Sequence, residues 1–91
     1  MKIQLNWQPK TNRFYGQIFE AKIFYGFYLF LYDNGEGWYN VELHDCHGNE
    51  KDAIGGGESV EEAKLEAEQW LVQQCKHFLK EWLKPKNTSQ N

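Results

Sequence analysis

Five side chains that can bind a metal ion occur in two short segments of the chain. His44, Cys46 and His47 lie close together, and Cys75 and His77 form the second group. Zinc sites bring imidazole and thiolate ligands together at characteristic close spacings. On a helix, Cys75 and His77 would point about 200° apart, because each residue turns roughly 100°. We therefore expect no metal site and no cofactor, with Cys75 in the core, His77 exposed and Cys46 in a loop.

Two further patterns could support catalysis or phosphate binding. Cys46 and His47 could form a nucleophile and its base, but neighbours in a polar loop rarely hold a thiolate beside an oriented imidazole. The glycines at 55–57 precede a helix start, as phosphate-binding glycines do. No P-loop lysine follows them, and Glu58 and Glu61 would repel an anion. We expect these glycines to form a flexible lead-in to the helix and the protein not to be an enzyme.

The net charge of −3 is divided unevenly along the sequence. The segment 33–68 carries eleven acidic and two basic residues, which gives −9, and the remainder carries +6. One interpretation is a solvated acidic loop followed by a helix whose charges follow its dipole. The other is an acidic surface directed at a basic partner.

The elements that position these residues follow from hydrophobic periodicity. Alternating or aromatic runs predict strands at 2–8, 17–24, 27–32 and 38–44, with turns at Tyr25-Gly26 and 33–37 and a polar loop at 45–57. Ser59 and Glu62 form a capping box that begins a helix at 59–84, which Pro85 ends. The sequence thus predicts a single α+β domain over 1–84, an antiparallel three- to four-stranded β-meander packed on one long C-terminal α-helix, with a disordered tail at 85–91.

The chain carries no sign of secretion or membrane insertion. The first residues alternate like a strand and contain no apolar leader, and no apolar run reaches the roughly 18 residues of a membrane span. Cys46 and Cys75 are therefore predicted to be free thiols in a reducing compartment. We expect a cytoplasmic protein.

Pleat parity divides the predicted sheet into two apolar faces. The helix side would receive Phe19, Ala21, Ile23, Phe27, Leu29, Leu31, Tyr39, Val41 and Leu43. The opposite side would receive Lys22, Phe24, Tyr28, Phe30, Tyr32, Trp38, Glu42 and His44. That second face is too aromatic for ordinary exposure to solvent. It predicts a partner-binding surface formed by Tyr28, Phe30, Tyr32, Trp38, Glu36 and Glu42, unless loops of the chain cover these rings.

The predicted helix is longer than the sheet it covers. At about 1.5 Å per residue, the segment 59–84 spans about 39 Å, against about 20–27 Å for the strands. Its final turns carry four large apolar residues, Phe78, Leu79, Trp82 and Leu83. These four residues predict a contact surface, either with a second copy of the chain in a homodimer or with another protein. The alternative is that other segments of the same chain cover them.

The order of elements resembles a recurrent type of small single-domain protein from phages and other mobile elements. The residues that carry the resemblance are Gly37-Trp38 at the start of the last strand and Ser59-Val60-Glu61-Glu62-Ala63-Lys64 at the start of the helix. Many small inhibitors of host defence, anti-CRISPR proteins among them, are similar in size, acidity and lack of a catalytic motif. The resemblance implies a β-meander with a C-terminal helix and an inhibitory, protein-binding function.

Two functional hypotheses follow. The first is a non-enzymatic protein-binding module that occludes a surface of a host defence complex. The second is a nucleic-acid-binding module that uses the aromatic sheet face or the stripe of Lys76, Lys80 and Lys84. Bases are needed around an aromatic platform to bind phosphates, and only Lys22 is placed there against Glu20 and Glu42. Nucleic acid is therefore the less favoured ligand.

Overall fold

A computed structural model describes residues 3–82, apart from the side chains of Leu79, Glu81 and Trp82. It contains one antiparallel sheet with the strand order β1-β2-β3-β4-β5, followed by one helix. The elements are β1 (Gln8–Asn12), β2 (Gly16–Lys22), β3 (Tyr28–Asp33), β4 (Tyr39–His44), β5 (Glu50–Gly57) and α1 (Val60–Trp82). The predicted α+β meander with a C-terminal helix is confirmed, with five strands in place of three to four. The predicted tail at 85–91 lies outside the described residues.

The first strand differs from its prediction at 2–8, because residues 3–7 form no strand and β1 begins only at Gln8. Residues 3–7, hereafter the strap, pack against α1 instead of pairing in the sheet. The Leu5 N–H and the Trp7 indole N–H both donate to Glu68 Oε2, at 3.0 and 3.2 Å. Pro9, which was expected to end a strand, lies within β1. An edge strand tolerates proline because its missing N–H can face solvent.

The predicted polar loop at 45–57 is also wrong, because most of it is β5. A tight turn connects β4 to β5, and the Asp45 carboxylate closes it by accepting the N–H groups of His47 and Asn49, each at 2.9 Å. The pairing register with β4 shifts at two places along β5, and one shift leaves Ile54 without an opposite residue. Such bulges bend and twist a strand. Ile54 packs against the core under α1.

The glycines at 55–57 form the end of β5 and are not a flexible lead-in. Gly57 is buried, and a Cβ on it would lie 2.6 Å from Glu62 Cβ and 2.8 Å from the backbone nitrogen of Ala63. The first turn of α1 therefore rests directly on the β5 backbone. Glycine is required because any side chain would separate the helix from the sheet.

The start of α1 confirms the predicted cap with one change of detail. Ser59 Oγ accepts the Glu62 N–H at 3.1 Å, whereas the Glu62 carboxylate accepts the N–H of Glu58 at 2.9 Å. Further along the helix, Ala63 and Ala67 are fully buried against the middle of the sheet. The core between them contains Leu29, Leu31 and Val41, with Leu5 and Trp7 of the strap at its edge. The predicted division between the two sheet faces is confirmed for the residues of β2, β3 and β4, whereas Phe24 lies in a 3-10 turn and not on the sheet.

The predicted break at Tyr25-Gly26 is also confirmed. Phe24–Gly26 form a single 3-10 turn between β2 and β3, in which the Ile23 N–H donates to the Phe27 carbonyl at 2.9 Å and the Phe27 N–H donates to the Phe24 carbonyl at 3.1 Å. Both Tyr25 and Gly26 adopt positive φ angles, 58° and 78°. Tyr25 is the one non-glycine residue with positive φ in the described part of the chain, and its side chain is 81% exposed.

Candidate functional site

The sheet face opposite α1, hereafter the far face, carries three rows of side chains. Their order follows from the pairing of β2, β3, β4 and β5, whose neighbouring strands lie about 4.8 Å apart. The first row is Ile18, Tyr32, Asn40 and Gly56; the second is Glu20, Phe30, Glu42 and Ala53; the third is Lys22, Tyr28, His44 and Glu50. The centre is apolar and buried, because Ile18, Phe30 and Tyr32 are 2%, 7% and 8% exposed.

A hydrogen-bonded chain crosses the middle of this face. The Tyr32 hydroxyl donates to Glu42 Oε2 at 2.7 Å and accepts from the Asn40 amide at 3.2 Å. His44 Nε2 lies 3.0 Å from Glu42 Oε1, so the tautomer with a proton on Nε2 donates to the carboxylate. The His44 ring stacks on Phe30 with 4.9 Å between centroids. Glu42 thus fixes the side chains on both sides of it.

Burial changes the acidity of two phenols on this face. It raises the pKa of Tyr32 to about 12, and the hydrogen-bonded Glu42 carboxylate adds to the effect. Burial also raises the pKa of Tyr28, with further increases from the negative charges of Glu20 and Asp45. Both hydroxyls therefore stay protonated at neutral pH, and Tyr32 remains a hydrogen-bond donor to Glu42.

Tyr15 covers part of the buried centre from the turn between β1 and β2. The Asn12 side chain accepts the N–H groups of Phe14 and Tyr15, at 2.7 and 3.1 Å, and so closes this turn. The Tyr15 ring lies 4.1 Å from that of Tyr32 and meets Phe30 edge-on at 6.0 Å. Tyr15 is still 46% exposed. The exposed ring on this part of the far face is therefore Tyr15, and Phe30 and Tyr32 lie beneath it.

Trp38 lies on the same face at the other end of the first row. It precedes β4, and its indole packs over Gly56 so closely that a Cβ there would lie 3.1 Å from Trp38 Cε2. The ring is 40% exposed. By strand spacing, Gly56 is about 10 Å from Tyr32. Tyr15 and Trp38 therefore flank a floor formed by Asn40 and the edge of Tyr32.

The six residues predicted to bind a partner are not all equivalent in the structure. Tyr28, Phe30, Tyr32, Trp38 and Glu42 share the far face, as predicted, and Glu36 lies exposed in the turn between β3 and β4. Phe30 and Tyr32 are covered, and Glu42 is half-buried in its hydrogen bonds. Their role in partner contact stays a prediction. Sequence reasoning missed Tyr15, because a turn residue has no pleat parity; the Asn12 side chain that closes the turn was the available signal.

The candidate metal and nucleophile residues are spread over the molecule. His44 lies on the far face, Cys46 and His47 are exposed in the turn before β5, and Cys75 and His77 lie on α1. Both cysteines are free thiols, Cys46 exposed and Cys75 half-buried. Among residues 3–82, no three metal-ligating side chains form a group that could hold an ion.

The predicted contact at the end of α1 is described only in part. Phe78 is 47% exposed. The side chains of Leu79 and Trp82 and the whole of Leu83 lie outside the described residues. The strap covers an earlier part of the helix, which sequence reasoning had left open.

Comparison with known proteins yields no relative for this fold and site. No protein-family model matches the chain, and neither a curated protein nor a solved structure is similar to it. No helix of the described part combines the length and apolarity of a transmembrane span.

Proposed function

We propose that the protein is a non-enzymatic binding module that contacts another protein through the far face. The observation that carries this proposal is the pair of half-exposed rings, Tyr15 and Trp38, held on either side of Asn40 by buried neighbours. Tyrosine and tryptophan are enriched at the centres of protein interfaces, where they bury much area at a low cost in conformational entropy. Rings already fixed by packing lose little further entropy on binding.

The charges around the rings indicate the kind of partner. Glu36 lies exposed in the turn beside Trp38. The segment 33–68 carries a net −9. A protein surface with an apolar centre and basic residues around it would be complementary.

The biological setting follows from the resemblance to small phage and mobile-element proteins. We place the protein in the cytoplasm, in keeping with its two free thiols. There it would occlude a surface of a host defence complex, as anti-CRISPR proteins do, by binding alone. No step of this function needs a metal ion or a cofactor.

Nucleic acid is the alternative ligand, and the far face offers it little electrostatic support. β1 adds one base to this face, Lys10, whose ammonium lies 3.4 Å from Glu20. This acid offsets the charge that would otherwise attract phosphate.

The test is affinity capture from a bacterial lysate with two variants compared with the wild type. Tyr15→Ser/Trp38→Ser removes both rings, and Phe14→Ser is the matched control, because Phe14 is 79% exposed beside Tyr15. Bound proteins and nucleic acids are identified separately, and the affinity for the captured molecule is measured with purified components. We expect a protein whose Kd rises at least about tenfold with the double variant and stays unchanged with the control.

Three results would contradict the proposal. One is capture of no protein by the wild type. Another is equal binding of the captured protein by the wild type and the double variant. The third is a nucleic acid bound in a salt-dependent manner and lost in the double variant, which would establish the alternative.

A further inference from the structure

The helix α1 has a second apolar stripe that faces away from the sheet. Ala63, Ala67 and Leu71 face the core and are buried. On the outer side Leu65 is exposed, whereas Val72, seven residues later, is buried at 9% exposure; the sequence continues this interval with Leu79. A seven-residue apolar interval is the pattern by which helices pack side by side.

The outer face presents both halves of such a contact. Leu65 projects from it and is 52% exposed. One to three turns further on, Gln69, Val72, Gln73 and Lys76 line a groove that Leu65 also borders and that continues to Ile3 of the strap and Ile54 of β5. Their spacing of i, i+3, i+4 and i+7 is that of the four residues which surround an inserted side chain in paired helices. Leu65 is thus a knob, and the four residues are a hole.

The charges along the outer face specify how two such helices would be oriented. Its first turn carries Glu61 and Glu62, and its later turns carry Lys76 and Lys80. Two parallel helices would place acid beside acid and base beside base. In an antiparallel pair, with each Leu65 in the hole of the other helix, Glu61 lies opposite Lys76. The surface is therefore complementary to a second copy of itself.

We propose that two copies of the chain pair antiparallel through the outer faces of α1, with Leu65 of each inserted between Val72, Gln73 and Lys76 of the other. A two-fold axis uses the same surface twice, so the knob, the hole and both charge clusters of each chain are engaged. The far face lies on the opposite side of the sheet and stays free. This proposal is therefore independent of the proposed function.

The first test is sedimentation equilibrium from micromolar to submillimolar concentration. We expect a monomer–dimer equilibrium whose Kd rises at least about tenfold with Leu65→Glu, because a buried leucine is replaced by a charge. Phe14→Glu is the matched control, since it changes an exposed apolar residue far from α1 and should leave the Kd unchanged. Circular dichroism checks that each variant is folded. A wild type that stays monomeric, or a dimer indifferent to Leu65→Glu, would overturn the proposal.

The second test addresses orientation by reversing charges. Glu61→Lys and Lys76→Glu should each weaken the dimer, and the double variant should recover most of the lost affinity, because the two changes restore opposite charges across an antiparallel pair. An equimolar mixture of the two single variants should form mixed dimers in preference to self-dimers. Lys22→Glu, on the far face, is the control for net charge. Failure of the double variant to recover, with the single variants weakened, would rule out the antiparallel arrangement.

Discussion

The indole of Trp38 lies directly on the backbone of Gly56, across the last two strands of the sheet. A Cβ at Gly56 would meet Trp38 Cε2 at 3.1 Å and would also collide with the carbonyl oxygen of Tyr39. Because Gly56 has no side chain, the indole can approach the backbone of β5 closely. The half-exposed surface proposed to bind a partner thus depends on one missing methyl group.

Gly56→Ala is predicted to destabilise the fold by about 3 kcal/mol or more, since the methyl group collides with both backbone and indole. Urea denaturation measures the change in the free energy of unfolding. Gly35→Ala is the control: its added Cβ meets nothing within 4 Å, although its φ of 85° makes alanine unfavourable by about 1–2 kcal/mol. A smaller loss for Gly56→Ala than for Gly35→Ala would contradict the proposed contact.

The strap is predicted to loosen when Glu68 loses its charge. Glu68→Gln weakens two charge-assisted hydrogen bonds, to the Leu5 N–H and the Trp7 indole, at a cost of about 1–3 kcal/mol. Hydrogen exchange should accelerate at the Leu5 amide, and the unfolding midpoint should fall. Glu66→Gln is the matched control on an exposed position of the same helix. Equal effects of the two variants would show that the strap is not held by Glu68.

The pKa of Tyr32 predicts how stability depends on alkaline pH. The folded state raises this pKa to about 12 from an ordinary value of 10.0, so the protonated phenol is favoured by folding. This contribution is complete below pH 10, where both states are protonated, and it is lost as the pH rises through 12. Absorbance near 295 nm should show a phenol that ionises near pH 12.

Tyr32→Phe provides the check on that assignment. The variant should lack the component near pH 12, and its free energy of unfolding should decline less steeply between pH 10 and 12. An unchanged titration curve would assign the high pKa to another tyrosine. Tyr25→Phe, at an exposed position, controls for the loss of one phenol from the spectrum.

Tyr25 is predicted to be suboptimal for stability. Its φ of 58° is unfavourable for a residue with a Cβ. Because its side chain is 81% exposed, packing contributes little stabilisation to offset this cost. Tyr25→Gly should raise the free energy of unfolding by up to about 1 kcal/mol. Phe24→Gly, at the preceding position of the same turn, should not stabilise. Destabilisation by Tyr25→Gly would mean that the tyrosine ring makes a contribution larger than the backbone strain.

Sequence periodicity predicted most of this architecture, and its failures have definite causes. The alternation of Ile3, Leu5 and Trp7 was correctly identified as one buried face. This face is buried against a helix and not beside a neighbouring strand. Local alternation cannot distinguish these two arrangements. β5 was missed because charged residues and three glycines have low β propensity. Its glycines are required by the close approach of α1 at Gly57, a contact between distant elements.

The far face shows the same division. Pleat parity correctly placed Tyr28, Phe30 and Tyr32 together, because parity depends only on local backbone geometry. Which of these rings stays exposed depends on Tyr15, whose position is set by the turn that Asn12 closes. A turn has no hydrophobic periodicity, so the sequence pattern could not predict the position of Tyr15.

The bond between Leu5 and Glu68 joins residues that are 63 positions apart in the chain. All strand pairs of the sheet, by contrast, connect sequence neighbours. Hairpins between neighbours close short loops and can form early, whereas the contact of strap and helix must wait until α1 has been synthesised. During synthesis the meander would therefore emerge with its apolar side uncovered. Once α1 is made, it would cover that side of the sheet and bind the strap in the same step.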